Sequence, residues 1–424
     1  MPNTLTYADP TDAPRANRGL LAWALATTVA MFPLIWMGGL VTSKGAGMSV
    51  PDWPNTFGYN MWAVPWGQWV GESAGGVFYE HFHRLLGTLV GFLATSTVLC
   101  AFAPARCDKN RRFLGRAAVV LIGLAVVAYA MSKLLPLGDA SVRTMSQVMS
   151  LAGAFGLMAA VAWTCRHREE RRWLRRLAVL VLAAVIIQGI LGGLRVVLVS
   201  TDLAIVHGIF GQLTLCAGGV LCLAATRWWV DVVHHPSRGM IWPAALLLGL
   251  CVLQLVVAAV MRHDDAGLAV PDVPLHFGQV MPPTDQASLD AANAVRAWEY
   301  NLPPVRLDQV WLHVAHRIGA VLITLAAGLT AWRLWRAAKW HVIAILGLIA
   351  VQITLGVLTV LYRKPADLAT FHVATGALLL LSVALLAARQ VRQYGARRTS
   401  VAPVAAESRG HDLPPRTASA VAAS

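Results

Sequence analysis

Apolar residues recur in runs of about twenty along most of this chain, separated by polar segments that hold nearly all of its charge. At 1.5 Å per helical residue such a run matches the roughly 30 Å hydrocarbon thickness of a bilayer, so each predicts a membrane-spanning helix. About ten can be placed, at 19–41, 81–103, 114–135, 145–164, 175–198, 204–226, 239–261, 310–335, 340–361 and 368–388. The first exceeds the apolar stretch of a signal peptide and leaves through a glycine-rich segment without an A-x-A site, which predicts a retained helix. The fold class expected is an all-α integral membrane protein.

Composition agrees: of 424 residues 57% are hydrophobic and 13% charged. A net charge of +14 would suggest nucleic acid in a soluble protein, but here the cations are banded. Arg106, Lys109, Arg111 and Arg112 follow the second span, and Arg166, Arg168, Arg171, Arg172, Arg175 and Arg176 the fourth. Arg333, Arg336 and Lys339 follow the eighth, and Arg389, Arg392, Arg397 and Arg398 the tenth. Each cluster comes after an even-numbered span, so the positive-inside rule predicts cytoplasmic termini and no nucleic-acid partner. The six cysteines lack C-x-x-C spacing and suggest neither an external disulfide nor zinc. Residues 1–18 and 393–424, rich in Pro, Ala, Ser and Arg, read as disordered tails.

The chain repeats itself. VTSKGAGMSVPDWPNTFG from Val41 and MRHDDAGLAVPDVPLHFG from Met261 share eight of eighteen positions. EHFHR from Glu80 then pairs with HVAHR from His313, QGILGGL from Gln188 with QITLGVL from Gln352, and DLAIVHGIFG from Asp202 with DLATFHVATG from Asp367. His83 thus matches His316, and His207 matches His372. The offset is 233 residues for the first pair and 165 for the second; the difference of 68 is the length of one inserted helical hairpin. An even number of added spans preserves the orientation of everything after it. The organisation expected is two pseudo-symmetric four-helix bundles, residues 19–235 and 239–390, with the hairpin at about 114–164 inserted in the first.

Ionisable groups inside membrane helices are costly and mark function. A single such histidine is as well explained by a helix–helix hydrogen bond, but four at equivalent places in a repeat are not. His83 and His316 open one helix of each half; His207 and His372 lie about one and a half turns into another, with Thr201 or Asp202, and Asp367, expected as N-caps. Two imidazoles from different helices of a bundle can ligate a haem iron axially, whereas zinc wants further ligands. Arg84 and Arg317 follow the first histidine of each pair, as propionate partners or as snorkelling cations. Glu80 shares a helix face with His83 at i, i+3, but its counterpart is His313. One half then carries a carboxylate beside its iron site, which points to reaction there and binding or electron transfer in the other. His81 lies about 200° around the helix from His83 and is set aside.

GAGMSVPDWP, EHFHR, QGILGG and the H-x-x-x-G of His207 and Gly211, in this order, resemble the landmarks of the haem A synthase family over residues 20–390. Two departures are the inserted hairpin and a first loop without the cysteine pair of some relatives; Val273 also stands where the other loop has Trp53. The resemblance implies oxidation of the ring methyl of haem O to a formyl group by successive hydroxylations, yielding haem A for cytochrome oxidase. It implies haem O as substrate on His83 and His207 beside catalytic Glu80, and a permanent haem b on His316 and His372. It also implies links to haem O synthase and to cytochrome oxidase assembly, a bacterial inner membrane location with the haem sites toward the outer face, and room for a homo-oligomer. The alternatives are a two-haem b-type electron carrier, with no need of Glu80, and a haem transporter or chaperone with exchangeable binding.

Overall fold

The apolar runs fold as helices, and the few polar residues at their ends set where they begin. The structure, a computed structural model, describes residues 16–71, 75–103, 108–134, 139–165, 168–233, 235 and 237–394. Helix α1 (Arg18–Ser43) starts where the Asn17 side chain accepts the Leu20 amide at 3.0 Å, the ordinary cap for otherwise unpaired amides. Then come α2 (Gly76–Ala101), α3 (Asp108–Leu134), α4 (Asp139–Thr164), α5 (Arg172–Val197) and α6 (Thr201–Ala225). A short α7 (Arg227–Asp231) leads to α8 (Trp242–His263), α9 (Gln286–Tyr300), α10 (Leu307–Leu361) and α11 (Ala366–Tyr394). The described residues contain no strands beyond two isolated bridges.

Seven described helices, α1, α2, α5, α6, α8, α10 and α11, are long and apolar enough to cross a membrane. Helix α10 has 55 residues, with non-helical geometry at Ala338 (φ −148°, ψ 37°). At 1.5 Å per residue it extends about 80 Å, more than twice a hydrocarbon core. It therefore contains both expected runs, 310–335 and 340–361. The expected hairpin is present as α3 and α4, packed on each other, with α4 also against α2; the apolar stretch of α4, Gln147–Trp163, falls among the shorter ones. The expected tails lie almost wholly outside the described residues.

In the first half α1 packs on α2 and α6, and α5 packs on α2 and α6; in the second, α8, α10 and α11 pack on one another. Leu20, Met31, Val90, Leu174 and Leu215 form the first core, and Leu247, Leu334, Ile345, Val383 and Leu386 the second. The halves meet where α1 and α6 pack on α11, and α6 on α8. Small residues permit this: a Cβ on Gly39 would stand 3.0 Å from Thr370, and one on Gly219 would overlap Leu381. Leu25, Val29, Leu180, Val321 and Leu325 remain exposed, as expected of surfaces solvated by lipid.

Two local expectations differ from what is found. Ser200 caps α6, its hydroxyl accepting the Leu203 amide at 3.2 Å. Ser200 has the extended backbone a cap requires, and Thr201 and Asp202 are already helical. Asp367 likewise lies in the first turn of α11, where its charge favours the helix N-terminus. Helix α9, in a segment that no expected span covers, is amphipathic and only 15 residues long, so a search for twenty-residue apolar runs passes over it. Its Asp285–Ser288 capping box and its buried Leu289 and Ala292 at i, i+3 were the available signals.

Candidate functional site

The repeated loops between α1 and α2 and between α8 and α10 fold alike down to single hydrogen bonds. The Asp52 carboxylate accepts the amides of Phe57 at 2.9 Å and Gly58 at 2.8 Å; that of Asp272 accepts Phe277 and Gly278, both at 2.8 Å. This bridging stabilises the left-handed backbone of Phe57 and Phe277 (φ 52° and 57°). Arg84 donates to the carbonyls of Val50, Asp52 and Asn55 at 2.7, 2.5 and 3.0 Å. Arg317 donates to the equivalent Val270, Asp272 and Leu275 at 3.1, 2.6 and 3.0 Å. Each arginine therefore fastens a loop over the start of its helix, a role that neither sequence-based alternative foresaw.

Beneath the loops the four histidines form two pairs. His83 and His207 have ring centroids 6.5 Å apart and planes at 79°; for His316 and His372 the values are 6.3 Å and 66°. His207 and His372 are each the seventh residue of their helix. Metal–imidazole bonds are about 2 Å long, so two rings on one iron have facing nitrogens about 4 Å and centroids roughly 6 Å apart. Both pairs match that spacing and are too far apart for a direct ring–ring hydrogen bond.

Four unpartnered atoms strengthen the match. The buried Nδ1 of His207 and of His372, and the buried Oε1 of Gln188 and of Gln352, meet no hydrogen-bond partner. The same donor–acceptor couple is unsatisfied in each half. Each glutamine borders its histidine: the Gln188 amide donates to the His207 carbonyl at 2.9 Å, and the Gln352 amide nitrogen lies 3.4 Å from His372 Nε2. The tautomer of His83 is fixed: its Nδ1 lies 3.1 Å from the Leu34 carbonyl, which can only accept, so Nδ1 carries the proton and Nε2 is left for a metal. His316 Nδ1 is instead 3.0 Å from the Gln254 side-chain amide, which also donates to the His316 carbonyl at 2.8 Å.

The glycines of the repeated motifs have the same explanation. A Cβ on Gly192 would stand 3.0 Å from His207 Cε1, and one on Gly356 3.1 Å from His372 Cε1. Each ring packs its Cε1 against bare backbone. Gly211 and Gly376, one turn beyond the histidines, leave space for the amides of Gln188 and Gln352. In the second half Gly319 makes room for Gln254, where the first half has Leu86 and Leu34. The sequence displayed the Q-x-x-x-G and H-x-x-x-G repeats but not their meshing, because that depends on two helices facing each other.

The halves differ around these shared features. Glu80 is buried, one oxygen accepting the Val50 amide at 2.9 Å and the other the Arg84 guanidinium at 2.7 Å. Its counterpart His313 is buried against the Ala266 carbonyl at 3.1 Å. Trp53 lies so close on Gly193 that a Cβ there would overlap the indole, whereas the matching residues are Val273 and Val357. Arg195, at the loop end of α5, matches Thr359. His81 points away as expected, its Nδ1 3.2 Å from Thr56 Oγ1 and its ring on Trp69.

Known proteins resemble this chain over most of its length. A protein of Beijerinckia indica named Heme A synthase is 25% identical over 385 residues, covering 87% of this chain and 92% of its own. One of the same name from Caulobacter is 24% identical over 397 residues, 89% and 97%, and one from Shewanella oneidensis 26% over 243 residues, 55% and 72%. The family model described as COX15-CtaA, cytochrome oxidase assembly protein, matches residues 21–194 and 143–384, and with most of its length so matched the chain belongs to that family.

Proposed function

We propose that this chain is a haem A synthase, an integral membrane oxidoreductase that converts the ring methyl of haem O to a formyl group. The observation carrying the reading is the pair of imidazole couples, each at iron-bridging distance, with a buried carboxylate beside only one. His83 and His207 would hold the substrate haem O, and His316 and His372 a permanent haem b. When bound, the haem irons supply the redox chemistry of methyl oxidation.

The protein's own residues contribute position and charge. Leu34 and Gln188 orient the first pair, and Gln254 and Gln352 the second. Glu80, one helical turn from His83, presents a negative charge in a site shielded from water, where it stabilises positive charge developing at the methyl carbon. Both its oxygens already accept hydrogen bonds, an arrangement suited to a fixed charge rather than to proton relay. Arg84 and Arg317 keep the loops closed; contact with propionates would be shared with the loop carbonyls. Trp53 over Gly193 gives the first half a large aromatic wall that the second lacks.

In the proposed orientation the loop end, with both sites, faces out of a bacterial inner membrane. At the opposite end Arg333 and Lys339 lie over Trp332 and Trp340, and Arg389 and Arg392 over Trp228 and Trp229. This belt of cations and tryptophans suits a cytoplasmic interface and supports the reading that both termini are inside. Helices α3 and α4 would add two further crossings. The prenylated substrate then enters from the bilayer, with haem O synthase as supplier and cytochrome oxidase assembly as consumer.

Co-expression with a haem O synthase, followed by pigment extraction, tests the reading. Haem A in the extract is expected. Haem B alone, with all four histidines ligating, would replace the synthase by an electron carrier.

A further inference from the structure

We propose that Arg195 is the carboxylate anchor of the first-half site, binding a propionate of the tetrapyrrole held between His83 and His207. The proposal deepens the reading above and rests on it. Arg195 is three residues beyond Gly192, the glycine under the His207 ring, so both lie on one face of α5. From there the guanidinium turns under the first loop, where a Cβ on Gly47 would stand 2.8 Å from its Nη2. It is within electrostatic reach of His83, His207 and Glu80.

What sets Arg195 apart is its lack of partners. Its guanidinium has one hydrogen bond, 3.4 Å long, to the Gly47 carbonyl, and no carboxylate within 4.0 Å among the described residues. The other partly buried arginines at this end are well matched. Arg84 has three loop carbonyls and Glu80. Arg262 donates to the Gly39 carbonyl and Ser43 Oγ, both at 2.8 Å, and Arg296 to the carbonyls of Pro303, Leu268 and Ala269. A guanidinium offers five donors in a fork that fits a carboxylate. An ordinary cation at a helix C-terminus would satisfy the helix dipole or extend to the interface, but neither explains its turning inward beside the histidines. The second half has Thr359 here, bonded to the Leu355 carbonyl of its own helix at 2.7 Å, so the anchor belongs to one site alone.

The test uses the full-length chain in detergent with its resident haem in place, titrated with a second equivalent of iron protoporphyrin IX or its dimethyl ester, read from the Soret band. The wild type should bind the free acid at least tenfold more tightly than the ester. Arg195→Gln should lose that discrimination by weakening the free acid alone, and Arg195→Lys should restore part of it. An equal loss for both porphyrins would make Arg195 a structural residue. Absence of discrimination in the wild type would assign it to another anion, such as a lipid phosphate. If the wild type takes up no second equivalent, or His83→Ala does not reduce uptake, the underlying reading fails and this assignment with it.

Discussion

The unmatched couples Gln188–His207 and Gln352–His372 yield the sharpest prediction, because each half is a control for the other. Replacing Gln352 by Leu removes the side chain whose amide nitrogen lies 3.4 Å from His372 Nε2 while preserving volume. Partners of metal-bound histidines typically contribute 10–100-fold to metal affinity, or about 1.4–2.7 kcal/mol. Folding should suffer little, since a buried Oε1 that already lacks a partner costs about 1–3 kcal/mol where it stands, and its removal offsets the lost amide contact. Gln352→Leu should therefore purify with less haem b per chain while its melting temperature in detergent stays within a few degrees. Gln188→Leu should retain haem b and lose affinity for haem added at the first site. Pyridine haemochrome assays and Soret titrations measure both. If each variant keeps both haems at wild-type affinity, the glutamines pack helices only.

Further outcomes follow from the asymmetry of the halves. Glu80→Gln, which keeps the Val50 contact, should abolish haem A formation in co-expressing cells while leaving bis-histidine spectra intact; wild-type yield of haem A would remove Glu80 from the chemistry. Arg84→Leu strands a buried carboxylate, so it should cost about 3–5 kcal/mol, whereas Arg317→Leu strands only loop carbonyls and should cost visibly less in thermal unfolding. Gly193→Val should disrupt the first site by colliding with Trp53, and the double variant Trp53→Val, Gly193→Val, which copies Val273 and Val357, should regain folding; a double variant no better than the single would break the proposed packing. Deleting residues 108–164 should spare both haems if the hairpin is peripheral to the two bundles; loss of both haems would make it part of the core.

Most of the architecture was legible because a bilayer makes one demand that sequence expresses directly, about twenty apolar residues per crossing. The duplication then gave the histidine pairs, since equivalence between Asp202–Gly211 and Asp367–Gly376 needs no coordinates. Illegible features depend on which helix faces which. That Arg84 fastens carbonyls 29 to 34 residues away, that Gly192 is a seat for His207, and that Gly319 exists to admit Gln254 all follow from contacts between helices. Arg195 was missed for a related reason: as one cation at the end of an apolar run it looks like any snorkelling residue. Only the contrast with the saturated Arg84, Arg262 and Arg296 makes it informative.

The comparison of halves also bears on how one duplicated bundle would support the two proposed roles. Features that would hold an iron are shared: paired histidines, Gln188 and Gln352, Gly192 and Gly356, and the loop clamps Arg84 and Arg317. Features that discriminate are confined to the first half, namely Glu80, Trp53 with Gly193, and Arg195, opposite His313, Val273 with Val357, and Thr359. These converge on one end of one bundle: Glu80 and Arg195 are charged where their counterparts are neutral, and Trp53, seated on Gly193, is a large aromatic where Val273 stands in the other half. A pure electron carrier would have little use for such a difference, because two electron-transfer haems need only ligation and proximity. A protein that must bind one haem permanently, and another long enough to oxidise a single methyl group, has reason to keep the iron-holding parts alike and to add recognition and charge to one site only.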